Sequence, residues 1–313
     1  MNYFDLHCDT MAELYRRSVC LDRNECHVSL EKADRAIDHY AQFFAFFASK
    51  RLTDAEGFER YLKTYEYFTR ELEKCSDKIV LCRNFAELEA AKKSNRVAAF
   101  HAVEDIRIID GDVGRIDTLY GMGVRYVTPV WGGVSSIGGA HQTGEGLTDL
   151  GKRAVRRLFE LGIVPDVSHS SERTADEIIE LAEEYGKPFI ASHSNSYSVY
   201  SHTRNLRDRH FEKLKKCGGI VGISLCDIHL CPESEGKPDI DTVIRHIDRY
   251  LELGGEDCLS FGCDLDGCDL AKGVSDISDM PKIFERMSDL GYSDEIIEKI
   301  SYKNAYNFIK RNF

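Results

Sequence analysis

Prolines are scarce, six in 313 residues, and no stretch rich in Pro, Gly or Ser divides the chain. There is also no internal repeat, low-complexity tract or shift in composition, so the expectation is one domain over residues 1–313. No run approaches about 18 uncharged apolar residues, which excludes a membrane-spanning helix. The stretch Met1–His7 lacks the basic and apolar regions of a signal peptide, and Lys310–Phe313 lacks a hydrophobic tail for lipid anchoring. Positive charge is outnumbered: 41 Lys and Arg against 53 Asp and Glu leave a net charge of −12. That balance argues against nucleic acid or an anionic membrane as partner.

Cysteines are plentiful but unpatterned. The eleven form no repeated CxxC pair and no Cys/His zinc-finger spacing. Several, such as Cys82 and Cys226, sit in apolar runs, where a reduced buried thiol is the ordinary state. A reducing cytoplasm is therefore the expected location. A chain of this length, 42% hydrophobic, buries enough core to fold without disulfides.

What is present is alternation. Eight strand-like runs can be read: 3–7, 39–48, 96–103, 124–130, 163–168, 188–192, 219–225 and 258–262. Amphipathic stretches lie between them. In 172–185, Ala175, Ile178, Ile179 and Ala182 share a face that Ser170 or Ser171 can cap. Residues 149–161 and 240–253 read the same way, and Gly162 and Gly254 end them. Two further helical patterns, 276–290 and 294–309, follow the eighth run and are expected to close the fold. Eight strand–helix units in about 260 residues predict a (β/α)8 TIM barrel.

On such a barrel the active site lies at the C-terminal ends of the strands. Six metal-competent side chains fall at those ends: His7 and Asp9, then Glu104, His169, His193 and Asp264. In an extended strand residues i and i+2 point the same way, which would turn His7 and Asp9 toward one ion. Glu104 has two oxygens with which to bridge two ions, and two imidazoles from neighbouring strands complete a second position. Singly, each histidine is more often structural than catalytic. Jointly, they predict a binuclear centre of two Zn2+, with Mn2+ or Co2+ as alternatives.

The motifs then extend over nearly the whole chain. They include Asp5-Leu-His-Cys-Asp-Thr10, His39-Tyr-Ala-Gln-Phe-Phe44, Val103-Glu104 and Gly121-Met-Gly-Val-Arg-Tyr-Val-Thr128. Gly146-Leu-Thr-Asp-Leu-Gly151, Leu161–His169, Pro188–Ser194, Arg204-Asn205-Leu206 and Phe261–Gly267 follow, with Tyr302–Ala305 near the end. Together they resemble the renal, or membrane, dipeptidase family, peptidase family M19, a branch of the amidohydrolase-like barrels. The resemblance implies that His7 and Asp9 hold one zinc, His169 and His193 the other, and Glu104 bridges them. It implies that Asp264 is the catalytic aspartate, whereas Asp266 shapes the following loop, and that Arg204 binds the substrate carboxylate. Trp131 stands where mammalian members carry a substrate-contacting histidine, as in a bacterial subgroup that follows it with Asn rather than Gly132. Its indole donates one hydrogen bond and cannot ionise, which leaves the metal chemistry intact and alters the substrate site.

The expected reaction is hydrolysis of a dipeptide. Water shared by two ions becomes hydroxide near neutral pH, Asp264 shuttles its proton, and Arg204 restricts the substrate to short peptides. The alternative is another binuclear amide or lactone hydrolase, such as an N-acyl amino acid hydrolase. A non-catalytic metal-binding barrel has no use for Asp264, and a deaminase typically shows His-x-His in the first strand. Family members are often dimers, so the resemblance leaves a homodimer as one possible assembly, and the sequence does not decide the oligomeric state. His101 reads as core, His141 as a bland loop residue with the pocket mouth as its minority reading, Tyr197 and Tyr200 as packing, and Asp105 as solvated or a partner of a ligand.

Overall fold

The structure is a computed structural model that describes residues 1–313. Its strands are β1 (Asn2–Cys8), β2 (His39–Phe47), β3 (Ile79–Leu81), β4 (Val97–Glu104), β5 (Val124–Thr128), β6 (Val164–Pro165), β7 (Val221–Ile223) and β8 (Leu259–Phe261). All pairings are parallel, and the order is β6-β5-β4-β2-β1-β8-β7. The ring closes between β6 and β7 through residues 190–191, where Ile190 pairs with Asp166 and Ala191 with Val221. The run 188–192 is thus a stave of the barrel held by bridges alone. Gly222 and Gly262 make room for it, since a Cβ on either would collide with the Ser192 carbonyl oxygen.

The fold is a (β/α)8 barrel, with one strand the alternation did not reveal. β3 has three residues and pairs with the first three of β4, below the point where β5 takes over at His101. Glu104 is the last residue of β4 rather than a residue beyond it. The helices 149–161 and 172–185 have the expected bounds, capped by Thr148 and Ser171 and ended by left-handed Gly162 and Gly186.

The barrel lumen is filled by Phe4, Leu6, Phe43, Phe100, Tyr126 and their neighbours, all buried. Phe4, Phe43 and Phe100 stack with centroids 5.0 to 6.1 Å apart. Tyr302, Ala305, Phe308 and Ile309, from the C-terminal helical segment, seal the end of the lumen that faces away from the site. A larger layer, which includes Cys8, Phe44, Phe46, Val103 and Val124, packs between the strands and the surrounding helices.

Two bulges decide which side chains face inward. Phe4 and Leu6 point into the lumen, so strict alternation would send Cys8 inward and His7 outward. Between Asp5 and Cys8, however, β1 advances three residues while β2 advances two. The extra residue turns His7 inward and puts Cys8 in the outer layer. The Asp5 carboxylate holds this kink, accepting from the His7 amide at 2.9 Å and from Gln42 at 3.2 Å. A second slip, opposite His101 and Ala102, sets Val124 outward and Tyr126 inward.

Candidate active site

His7, Asp9, Glu104, His169, His193 and Asp264 converge at the C-terminal mouth of the barrel. Asp9 reaches the site by a route other than the expected i, i+2 alternation. β1 ends at Cys8, and Asp9 has already turned (φ −93°, ψ 9°) to cap the helix Thr10–Arg17. The inward turn of His7 comes from the bulge. His169 (φ 67°) and Asp264 (φ 63°) both sit in the left-handed region, a strained backbone for a residue with a side chain and one that clusters at working sites.

Each imidazole is fixed through Nδ1. Tyr126 donates its hydroxyl proton to the Leu6 carbonyl, so it accepts from His7 Nδ1, 2.8 Å away. The Ser192 hydroxyl donates to Asp166 Oδ2 at 2.5 Å and accepts from His193 Nδ1 at 2.7 Å. His169 Nδ1 donates to the Trp131 carbonyl at 3.0 Å. With the proton on Nδ1, each Nε2 lone pair is aimed into the site. Those lone pairs meet Glu104: Oε2 lies 3.7 Å from His7, and Oε1 lies 2.8 and 3.4 Å from His169 and His193.

Buried aspartates tie the strand ends together in pairs. Asp5 accepts from the amides of His7 and Cys263, next to Asp264. Asp166 accepts from the amides of Ser168 and Ser192, next to His169 and His193, and from the Thr128 hydroxyl. Each joins two segments that carry site residues. Gly267 leaves room on the remaining side, because a Cβ there would press on the Asp264 and Asp9 carboxylates.

This set fits divalent cations. Neither His7 Nε2, Asp9 Oδ1 nor Glu104 Oε1 has a hydrogen-bond donor, although all three atoms are buried. Burial and mutual repulsion hold the Asp9 and Glu104 carboxyls well above the usual range. Burial pushes Asp264 up to about 7, opposed by Arg204. The imidazoles are shifted the other way, His7 to about 3, again chiefly by burial. Three carboxylates thus crowd together with the Arg204 guanidinium as counter-charge, and neutral imidazole with carboxylate is a zinc-type donor set. The structure gathers His7, Asp9 and Asp264 on one side, and His7, Glu104 and His193 on the other.

The centre opens into a cavity of about 610 Å3. Trp131 is on its wall, its ring 4.6 Å from Phe47 and 5.8 Å from His169, with Lys50 above it. Arg204 is 4% exposed and donates to the His193 carbonyl at 3.2 Å, while its Nε has no partner. His141 lines the cavity, hydrogen-bonded to Thr203 at 2.9 Å.

The sequence profile of the membrane dipeptidases, peptidase family M19, matches residues 1–311. The chain belongs to this family. It is accordingly a metallo-dipeptidase, a hydrolase of peptide bonds. Among solved structures it is similar to dipeptidase AC, an M19 metallopeptidase, at TM-score 0.90 and 25% identity, covering 100% of this chain and 98% of that one. It is equally similar to a Rhodobacter sphaeroides metallopeptidase liganded with a phosphinate mimic of L-Ala-D-Ala, at TM-score 0.89 and 25% identity over 100% and 99% of the two chains. A Klebsiella pneumoniae relative, an uncharacterized protein from the pqqA 5′ region, is 27% identical over 242 residues, 74% of this chain and 88% of that protein.

The remaining assignments sort by contact. His101 lies in the outer layer, bonded to Tyr61 and the Phe44 carbonyl. Asp266 accepts from Thr10 and the His27 amide, which pins its loop. Asp105 is not solvated: it is buried against Arg107, Nε to Oδ2 3.0 Å, because the left-handed turn at Asp105 folds it back. Tyr197 packs under the Arg207 guanidinium. The sequence does not mark Tyr126, Ser192, the Trp131 carbonyl or Cys268 as site residues, and it reads Cys226 only as a buried thiol, whereas Cys226, Cys268 and His229 line the cavity. Only Ser192, beside His193, carried a local signal. All eleven cysteines are free, and no helix is long and apolar enough to cross a membrane.

Proposed function

We propose that this single barrel domain hydrolyses dipeptides with two zinc ions, held by His7 and Asp9 on one side, His169 and His193 on the other, and Glu104 between them. One observation carries the reading: buried imidazole lone pairs and carboxylate oxygens converge without hydrogen-bond donors, with the buried Arg204 guanidinium as their counter-charge. When bound, the ions supply Lewis acidity that polarises a peptide carbonyl and acidifies water.

The protein's own groups do the rest. Asp264, with a carboxyl lifted toward neutrality by burial, accepts the proton of the attacking water and passes it to the leaving amine. Arg204 has an unsatisfied Nε at the cavity wall, and its planar fork pairs with the terminal carboxylate of a short peptide. Asp166, Ser192 and Tyr126 keep the histidines in the right tautomer and orientation. The Trp131 and Phe47 rings form an apolar wall against which a small side chain packs. The Rhodobacter relative's ligand extends the candidate substrates to dipeptides with a D-residue in second place.

The test is kcat/KM on L-L and L-D dipeptides and their amides, with zinc supplied and metal counted. About two ions per chain are expected, with free dipeptides strongly preferred. Arg204→Lys should weaken kcat/KM for free dipeptides by about 1.5–3 kcal/mol, the range for a hydrogen bond to a charged group, and barely change amides. Equal cleavage of amides by the wild type would overturn the clamp and favour an N-acyl or lactone hydrolase.

A further inference from the structure

Asp264 belongs to two clusters. On one side it faces His7 and Asp9; on the other it faces the thiols of Cys226 and Cys268. In each cluster the donor atoms lie within 4.8 Å of one another, close enough to share an ion. Cys226 follows β7 and is buried, whereas Cys268 sits half-buried in the turn after Asp264, its thiol 3.3 Å from the Asp264 carbonyl. An antiparallel bridge between Cys226 and Leu270 holds the two segments together. Both thiols line the cavity that opens over the metal centre, so an ion reaching the centre also reaches them.

Two sulfurs and one carboxylate oxygen, with the cavity side open for water, make a four-coordinate site for a soft or borderline cation. The histidine–carboxylate centre has no sulfur donor, so the two sites differ in preference. We propose that Cys226, Cys268 and Asp264 form a third cation site selective for thiophilic ions such as Cd2+ or excess Zn2+. We further propose that its occupation inhibits the enzyme by engaging the Asp264 carboxylate. The inhibitory half rests on Asp264 being the proton carrier; the binding half does not.

The probe is Cd2+, added to enzyme already carrying its full complement of zinc. One additional equivalent is expected to bind, with a sulfur-to-cadmium charge-transfer band in the ultraviolet and a saturable loss of turnover. Cys226→Ala with Cys268→Ala should abolish the band and raise the cadmium concentration for half-inhibition at least tenfold, relative to each protein's own uninhibited rate. Cys268→Ala alone, at the half-exposed position, keeps the comparison readable if Cys226→Ala does not fold. Cys20→Ser, at an exposed thiol that does not line the cavity, should keep the band.

A band of undiminished strength in the Cys226/Cys268 variant overturns the site. Saturation of the band without loss of turnover overturns the inhibition. A cysteine-dependent band in protein that cleaves no dipeptide leaves the cation site standing and overturns only the functional reading beneath it.

Discussion

The Nε2 atoms of His169 and His193 lie 3.0 Å apart, and neither ring has a proton to offer the other. Both Nδ1 protons are committed, to the Trp131 carbonyl and the Ser192 hydroxyl. Two facing lone pairs beside a buried carboxylate repel unless a cation stands among them. Protein stripped of metal should therefore melt at a lower temperature than loaded protein, by an amount that grows with zinc concentration; about 4 kcal/mol corresponds to a thousandfold excess over Kd. His169→Ala should lose one ion and nearly all activity. Elemental analysis and calorimetry with and without chelator check this, and equal melting temperatures would refute it.

Asp264→Asn preserves size and removes the proposed proton acceptor. A fall in kcat of at least about 100-fold is expected, the lower end of what a positioned acid–base group contributes. Metal content should stay near normal, because His7, Asp9, Glu104, His169 and His193 are intact. Wild-type turnover in this variant would move the proton transfer elsewhere, with Asp266 the nearest candidate.

Gly267→Ala tests the crowding of carboxylates from behind. The added methyl would displace the ends of Asp9 and Asp264 rather than backbone, so the fold should survive at a cost of about 1–3 kcal/mol in the metal-free protein, the range for overpacking. Zinc affinity should fall at least about tenfold, since a small displacement of ligand oxygens upsets coordination. Competition against a chromogenic chelator reads the affinity, and an unaltered value would refute the argument.

Two buried histidines outside the cluster at the barrel mouth set an acid limit. His246 accepts the Ser196 amide on Nδ1 and donates Nε2 to the Leu230 carbonyl, so its ring is held neutral. His101 is likewise satisfied as a neutral ring between Tyr61 and the Phe44 carbonyl. Burial lowers both pKa values from 6.5 to about 4. Below pH 6.5 the unfolded chain takes up a proton that the folded ring refuses until about pH 4. The stabilisation is thus complete above 6.5 and lost as pH falls through that window, by roughly 3 kcal/mol per ring at most. Raised carboxyls such as Asp264 and Asp105 act in the opposite sense, so the test is a difference: between pH 6.5 and 4 the urea midpoint of metal-free His246→Gln should fall less than that of the wild type. Equal pH dependence in the two proteins would contradict this.

Much of the site was legible because a barrel collects strand ends, and His7, Glu104, His169, His193 and Asp264 each follow or end an apolar run. The helices 149–161 and 172–185 were equally plain from their caps and glycines. The supports were not. Tyr126 reads as one more residue of a buried strand, and only the slip beside it turns it toward His7. Cys226 and Cys268 are 42 residues apart, and nothing local brings them together. β3 is too short for periodicity to register. The His7–Asp9 pairing was anticipated for the wrong reason, since the kink at Asp5 rather than alternation turns His7 inward.

The paired bulges bear on any attempt to graft this centre into another scaffold. A His-x-Asp copied onto a regular strand whose Phe4 and Leu6 equivalents fill the lumen would deliver the imidazole to the helix layer. The same holds for the tyrosine that fixes the imidazole, because its inward turn also depends on one extra residue in the ladder. A transplant must carry both insertions and an aspartate to hold the first. Equally, deleting one residue from either strand would not shorten the reach of a side chain but turn it to the opposite face, so length here is set by geometry and not by composition.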